Sequence, residues 1–272
     1  MRASHLDPVL ISALKKLKLG FLADTLPQRL VLAKKQDMPF EDLLLLVLSD
    51  EVARRESTST VRRAKTAGLD PAMMIERWDP SSKVTYDKRL LNELMSLRFL
   101  ESHQNIVVLG PVGVGKTFLA TALGHVACRH RYQVHFTRAD EMLRKLRQSR
   151  LDNSREVLMT ELSTIDLLVI DDFALEPMTR EESRDVYQLF VERTGRASTV
   201  VTSNRDTAEW LATFDDVLLA QSAVDRFKNA AYDLIVEGES YRGKLKPKLS
   251  DNDPPPAAPV SKPEHPIKRR KR

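Results

Sequence analysis

Residues 105–117 read Asn-Ile-Val-Val-Leu-Gly-Pro-Val-Gly-Val-Gly-Lys-Thr. The apolar run 106–109 stops at Gly110, as a buried strand does where it leaves a sheet. Gly110, four further residues and then Gly115-Lys116-Thr117 satisfy the pattern G-x-x-x-x-G-K-[ST], and a helical pattern fills 117–129 at once. That flanking context separates the stretch from a Gly-rich turn with a chance lysine. Gly110, Gly113 and Gly115 free the backbone to turn successive N–H groups onto an anion, and the helix adds its positive end. Lys116 is placed to reach the β- and γ-phosphates of a nucleotide, and the Thr117 hydroxyl to hold magnesium. The expected nucleotide-binding residues are Gly110, Pro111, Val112, Gly113, Val114, Gly115, Lys116, Thr117 and Phe118.

Outward from this centre, apolar strands at 106–109, 134–136, 167–170, 199–202 and 234–236 alternate with helices. Such alternation with short connections predicts an α/β core whose five-stranded parallel sheet is covered on both faces. Leu167-Leu168-Val169-Ile170-Asp171-Asp172 is a buried strand ending in two carboxylates. Asp171 is the expected magnesium-side acid, and Asp172 stands where many phosphate-loop ATPases carry the glutamate that polarises the attacking water. Two acids capping a strand would equally open the next segment, a reading the upstream phosphate loop argues against. Thr199-Val200-Val201-Thr202-Ser203-Asn204 is a second strand with a polar end. If it neighbours the acid pair, Asn204 can orient the water or sense the γ-phosphate. Arg226 and Arg242, in Asp225-Arg226-Phe227 and Ser240-Tyr241-Arg242, each offer a guanidinium for the nucleotide or for a structural ion pair. Asp172, Asn204, Arg226 and Arg242 are thus the expected catalytic residues, with Thr117 and Asp171 as metal ligands.

Upstream, residues 2–70 read as a small helical module. Leu6, Leu10, Leu14 and Leu17 recur at helical spacing, 40–52 forms an apolar-rich helix opened by acidic residues, and a basic helix 53–67 follows. Pro27 and Pro39 are expected at the joints. Arg54, Arg55, Arg62, Arg63 and Lys65 would meet DNA phosphates on consecutive turns; a solvated charged face would carry the same residues. A second basic excess at 129–150 adds Arg144, Lys145 and Arg147. The expected organisation is therefore a helical DNA- or partner-binding domain at 1–70, a connecting segment at 71–104 with Trp78 as packing anchor between the two parts, a nucleotide domain at 105–245, and a disordered basic, Pro-rich tail at 246–272.

The 272 residues are 42% hydrophobic and 30% charged, an ordinary globular composition. The net charge of +5 is concentrated, because residues 244–272 carry nine Lys/Arg against three Asp/Glu and leave −1 for the rest. Apolar runs such as 43–48 are far shorter than the roughly 20 residues of a bilayer crossing, and no signal-peptide pattern opens the chain, so a cytoplasmic location is expected and no membrane partner. The single Cys128 excludes an internal disulfide, and the lack of a Cys/His cluster predicts no metal site built from protein ligands alone.

In this order, residues 110–117, 167–172, Thr202-Ser203-Asn204, Asp225-Arg226 and Gly238-Glu239-Ser240-Tyr241-Arg242 resemble the IstB family, helper ATPases of insertion-sequence transposition in the AAA+ clade with DnaC-type helicase loaders. Glu51-Val52-Ala53-Arg54-Arg55-Glu56 and Arg62-Arg63-Ala64-Lys65 resemble that family's helical domain, so the resemblance covers 6–248. It implies an AAA+ core, ATP and Mg2+ as cofactors, ATP hydrolysis coupled to assembly, double-stranded DNA and an IstA-like transposase as partners. It also implies a homo-oligomer bridged through its ATP sites, in which Arg226 reaches the γ-phosphate bound by a neighbour. Asp172 and Phe173-Ala174 depart from the commoner glutamate and small-residue turn. A DnaC-like replicative helicase loader and an ATP-gated DNA scaffold with little turnover would share this core; the resemblance at 51–65 and Trp210 favours the transposition helper.

Overall fold

The computed structural model describes residues 6–79 and 84–240. Its first helix, α1 (Pro8–Lys16), is opened by Asp7, whose carboxylate accepts the Val9 N–H. The second, α2 (Leu22–Gln36), runs straight through Pro27. Pro27 is therefore not a joint: it removes one backbone bond, and packing of Leu22 and Leu26 with Leu14, Leu43 and Val47 keeps the helix intact. Pro39 does mark a joint, as the residue before α3 (Phe40–Thr66), a single 27-residue helix that contains both the apolar and the basic stretch.

After a short 3₁₀ turn (Ile75–Arg77) come β1 (Val84–Thr85), α4 (Lys88–Met95) and α5 (Arg98–Glu101). The helical pattern of 90–100 breaks at Leu97, which takes the left-handed conformation with φ 64°. The core then runs β2 (Asn105–Leu109), α6 (Lys116–Arg129), β3 (Val134–Arg138), α7 (Ala139–Ser149), α8 (Arg155–Thr164), β4 (Leu167–Asp171), α9 (Arg180–Arg193), β5 (Ser198–Ser203), α10 (Thr207–Trp210), α11 (Val217–Lys228), β6 (Ala231–Ile235) and β7 (Glu237–Gly238). Five of these strands form one parallel sheet in the order β3-β4-β5-β2-β6, the expected architecture. β6 begins at Ala231 rather than at 234. As an edge strand it accepts Tyr232 and Asp233, and their polarity hides its start from a search for apolar runs.

Period-two alternation sends successive strand residues to opposite layers. Ile106, Val108, Val169, Val200 and Leu234 join α4, α5 and α6 in one apolar layer, whereas Val107, Leu168, Ile170 and Val201 join α7, α8, α9 and α11 in the other. Arg193, fully buried, donates to Thr199 Oγ1 (2.8 Å) and to the carbonyls of Leu162 (2.6 Å) and Ile165 (2.9 Å), tying α8 and α9 to the start of β5. Burial pulls its pKa down to about 10.

The C-terminal half of α3 lies on the back of the core. Arg63 Nε donates to the Cys128 carbonyl at the end of α6 (2.9 Å), and the Phe136 N–H of edge strand β3 donates to the Ala67 carbonyl (2.8 Å). Among the described residues no helix is long and apolar enough to cross a membrane.

Candidate nucleotide site

In a parallel sheet the groups that meet a ligand lie beyond the carboxyl ends of the strands, where the strand order reverses. Here β2 lies between β5 and β6, and the ends of β2, β4 and β5 converge on one cavity of about 440 Å³. Residues 112–118, Asp172 and Asn204 line one side of it, and Met73, Arg77, Trp78, Asp79 and Val84 line the other.

β2 delivers the chain to Gly110, and α6 starts at Lys116 after Gly115 in the left-handed region. The loop is packed so closely that glycine is required at two points. A Cβ on Gly110 would stand 2.0 Å from the Val236 carbonyl oxygen, and one on Gly113 2.1 Å from Ser240 Oγ. The segment that crowds them is anchored by β7, which pairs antiparallel with β1. This two-stranded clasp between the linker and the C-terminal segment has no local signal in two-residue strands.

The buried Lys116 ammonium donates to the Pro111 carbonyl (2.8 Å) and to Asn204 Oδ1. β4 and β5 are neighbours, and Asn204 accordingly stands beside the acid pair. The Thr117 hydroxyl donates to Asp171 (2.9 and 3.1 Å), and Thr202 Oγ1 donates to Asp171 Oδ1 (2.6 Å) while accepting the Asp172 N–H (3.0 Å). Burial pushes the Asp171 carboxyl above the ordinary aspartate range, an effect that the bonds from Thr202 and Thr117 only partly oppose. A buried carboxylate beside a hydroxyl is a hard-oxygen donor pair of the kind that suits Mg2+. The convergent loop N–H groups, helix start and ammonium suit the phosphates of ATP.

Asp172 follows the strand at φ 55° and Ala174 at φ 57°, both left-handed. The turn between them is pinned by Phe173, which is buried 4.8 Å from the Trp210 ring and donates its N–H to the Thr202 carbonyl (2.9 Å). Trp210 in turn donates to Ser203 Oγ (3.1 Å), bracing the end of β5 from behind. Arg138, at the end of β3, brings Nη2 to 3.6 Å from Asp172 Oδ2. Nothing in the sequence around Arg138 points to this contact, which arises because β3 lies beside β4.

Trp78 packs against the apolar layer that joins Ala64 and Ala67 to the nucleotide core, and it also faces the cavity. Its ring covers Gly115, where a Cβ would meet it at 2.7 Å, stacks obliquely on Phe118 at 5.3 Å, and donates through Nε1 to the Tyr86 hydroxyl (2.9 Å). The residue is a wall of the cavity.

Arg226, on the last turn of α11, is exposed, lies outside the cavity lining, and makes no ion pair among the described residues. The neighbouring Asp225 accepts from Asn229 instead (3.1 Å). Arg242 and the tail at 246–272 lie outside the described residues. Of the basic side chains considered for DNA, Arg54 donates to Glu51 (2.8 Å) and lies over the Phe21 ring, Arg55 donates to Glu51 (2.6 Å) and the Lys18 carbonyl, and Arg63 is bound to Cys128. Lys145 pairs with Glu141 and Arg147 with Glu182, each at 2.9 Å. Arg62, Lys65 and Arg144 are exposed and make no ion pair among the described residues.

The model of the IstB-like ATP binding protein family matches residues 12–249. The chain belongs to that family. An insertion-sequence ATP-binding protein of Mycobacterium tuberculosis is 33% identical over 243 residues, spanning 89% of this chain and 96% of the relative. The IS21 ATP-binding protein of Pseudomonas aeruginosa is 33% identical over 244 residues, 90% and 91% of the two chains. Among solved structures, the replication initiator DnaA bound to AMPPCP and single-stranded DNA aligns with a TM-score of 0.51 at 23% identity, covering 63% of this chain and about half, 51%, of that one. DnaI aligns with a TM-score of 0.52 at 18% identity over 60% and 90%. These two likenesses concern the fold alone, a parallel α/β sheet with a phosphate loop. For this IstB-family chain, the family model takes in helices α2 and α3 as well as the whole parallel sheet.

Proposed function

We propose that the protein is an ATP-dependent DNA-binding helper ATPase that assembles on double-stranded DNA and assists a transposase encoded with its insertion sequence. The observation that carries this reading is the convergence of Lys116, Thr117, Asp171, Asp172 and Asn204 from three neighbouring strand ends on one cavity. The names of the insertion-sequence relatives support the transposition setting.

In this reading the loop N–H groups and Lys116 bind the phosphates, and Asn204 exchanges its bond with the Lys116 ammonium for one to the γ-phosphate or the attacking water. Asp172 takes the proton of that water. Arg138 holds the Asp172 carboxylate until the nucleotide is in place. Thr117 and Asp171 would hold magnesium, which would supply positive charge against the phosphates. Arg226, exposed and unpaired among the described residues, serves the site of the next subunit, so turnover depends on assembly. The exposed Arg62, Lys65 and Arg144 supply phosphate contacts to DNA, whose free energy comes from released counterions.

The test is steady-state ATPase with and without duplex DNA, made on Asp172→Asn and on mixtures of Arg226→Ala with Lys116→Ala. Asp172→Asn should bind ATP with unchanged affinity and turn over on the order of 100-fold more slowly. The two other variants, inactive alone, should regain activity together once sedimentation confirms that they co-assemble. Full turnover by Asp172→Asn would move the base elsewhere, and co-assembly without recovery would remove the role of Arg226 in trans.

A further inference from the structure

The two walls of the nucleotide cavity differ in chemistry. The strand-end wall carries Lys116, Thr117, Asp172 and Asn204, whereas the linker wall is led by Met73, Trp78 and Val84, with Arg77 and Asp79 as its charged members. A triphosphate and its metal account for the first set of groups. They do not account for the linker wall, whose aromatic ring, among the described residues, is that of Trp78.

That ring is fixed from three sides. The far edge of its six-membered ring, Cζ3 and Cη2, lies against Gly115, where an added Cβ would come within 2.7 and 2.8 Å. Nε1 donates to the Tyr86 hydroxyl (2.9 Å), and the Phe118 ring leans on the indole at 5.3 Å and 52°. The linker that carries Trp78 is itself tied along α6. His125 Nε2 donates to the Asp70 carbonyl (2.9 Å), and Arg129 Nη2 donates to Glu76 (3.0 Å). Trp78 is nevertheless only partly buried, so ring surface remains for the cavity. A large π-surface already held in one orientation loses little freedom on meeting a flat ligand, which makes it an effective stacking platform.

We propose that Trp78 is the nucleobase platform of this site: the base of the nucleoside triphosphate packs on the indole while the phosphates lie along residues 113–118. The proposal rests on the reading of this cavity as a nucleotide site, and it adds the residue that recognises the nucleoside end. A phosphate loop by itself cannot tell a nucleotide from inorganic tripolyphosphate, since its N–H groups and Lys116 meet phosphate oxygens alone. Trp78 supplies that distinction. Because a ring face meets every base alike, it selects for the presence of a base and not for the pattern of its hydrogen-bonding edge.

Equilibrium titration of the full-length protein with ATP, GTP and tripolyphosphate, each with magnesium, tests this. Trp78→Ala should weaken ATP and GTP by the same factor, roughly 5- to 100-fold as for one stacked base, and leave tripolyphosphate affinity unchanged. Trp78→Phe, which keeps an aromatic ring, should recover most of the ATP affinity. The chain's only other tryptophan, Trp210, is wholly buried, so the difference in emission between wild type and Trp78→Phe reports Trp78. ATP should quench that difference and tripolyphosphate should not. Equal losses of ATP and tripolyphosphate in Trp78→Ala would mean that the ring only props Gly115, and would overturn the proposal. So would unchanged ATP affinity in that variant, or a loss confined to one of the two bases. A wild type that binds neither ATP nor tripolyphosphate removes the nucleotide reading itself, and the platform with it.

Discussion

The two ends of α3 sit in regions held together by different physics. Around the sheet, two apolar layers close over strands whose central residues, such as Val107, Leu168 and Val201, are wholly buried, and each such side chain contributes about 1.5–3 kcal/mol. At the other end, Leu14, Leu22 and Val47 form a small cluster, and much of the remaining cohesion comes from charge: Arg29 to Asp50 at 2.7 Å, and Arg54 and Arg55 to Glu51. Partly exposed ion pairs contribute about 0–1 kcal/mol each. The difference teaches where each region can do its work. Only a closed core can hold a buried ammonium and a buried carboxylate, Lys116 and Asp171, in fixed geometry. The thin helical region instead leaves apolar side chains such as Phe40, Leu44 and Leu45 in water.

Removing the most deeply held charge should have the largest effect. Lys116→Ala deletes a buried ammonium that faces the phosphates, a loss of about 2–5 kcal/mol. Equilibrium titration should give ATP affinity at least 30-fold weaker with the thermal unfolding of the apo protein little changed; unaltered affinity would remove the phosphate loop from the site.

Next come matched truncations in the two regions. Leu168→Ala should cost about 2–5 kcal/mol and lower the midpoint of the main unfolding transition. Leu22→Ala removes a side chain that is just as buried, but in the small cluster. It should speed hydrogen exchange in α1 and α2 while leaving the main transition and ATP affinity in place. If both variants shift the main transition equally, the two regions unfold as one unit and the contrast fails.

The smallest effect concerns acid. The guanidinium groups of Arg54 and Arg55 hold Glu51 at about 2, against 4.5 as its ordinary value. Since the folded value is the lower one, this contribution is complete above pH 4.5 and disappears as the pH falls towards 2. Amide exchange in α1–α3 should therefore accelerate through that window before the sheet responds. Glu51→Gln should remove the acid-dependent part, and an unchanged acid profile in that variant would take Glu51 out of the account.

Much of the core was legible because its signals are local. A phosphate loop needs its glycines, lysine and threonine within eight consecutive positions, and a buried parallel strand announces itself by four or five apolar residues in a row. The neighbourhood of Asp171 and Asn204 followed from two such strands ending in polar residues, and β4 and β5 do lie side by side. Pro27 misled, because a proline's local cost is small enough for packing at Leu22 and Leu26 to override. The place of Trp78 in the cavity wall and the contact of Arg138 with Asp172 were not seen, because each acquires its role from a strand or loop elsewhere in the chain.

By itself the sequence determined the α/β class, the phosphate loop, the acid pair and the family, since each rests on residue types at fixed short spacing. The tertiary structure decided that Trp78 walls the cavity, that Arg138 faces Asp172, that Arg54, Arg55 and Arg63 are already bonded within the chain, and that Phe40 and Leu44 of α3 are exposed among the described residues. Those outcomes depend on which surfaces remain after the helices have packed. That is settled by the shape and charge of distant partners, which no run of neighbouring residues encodes.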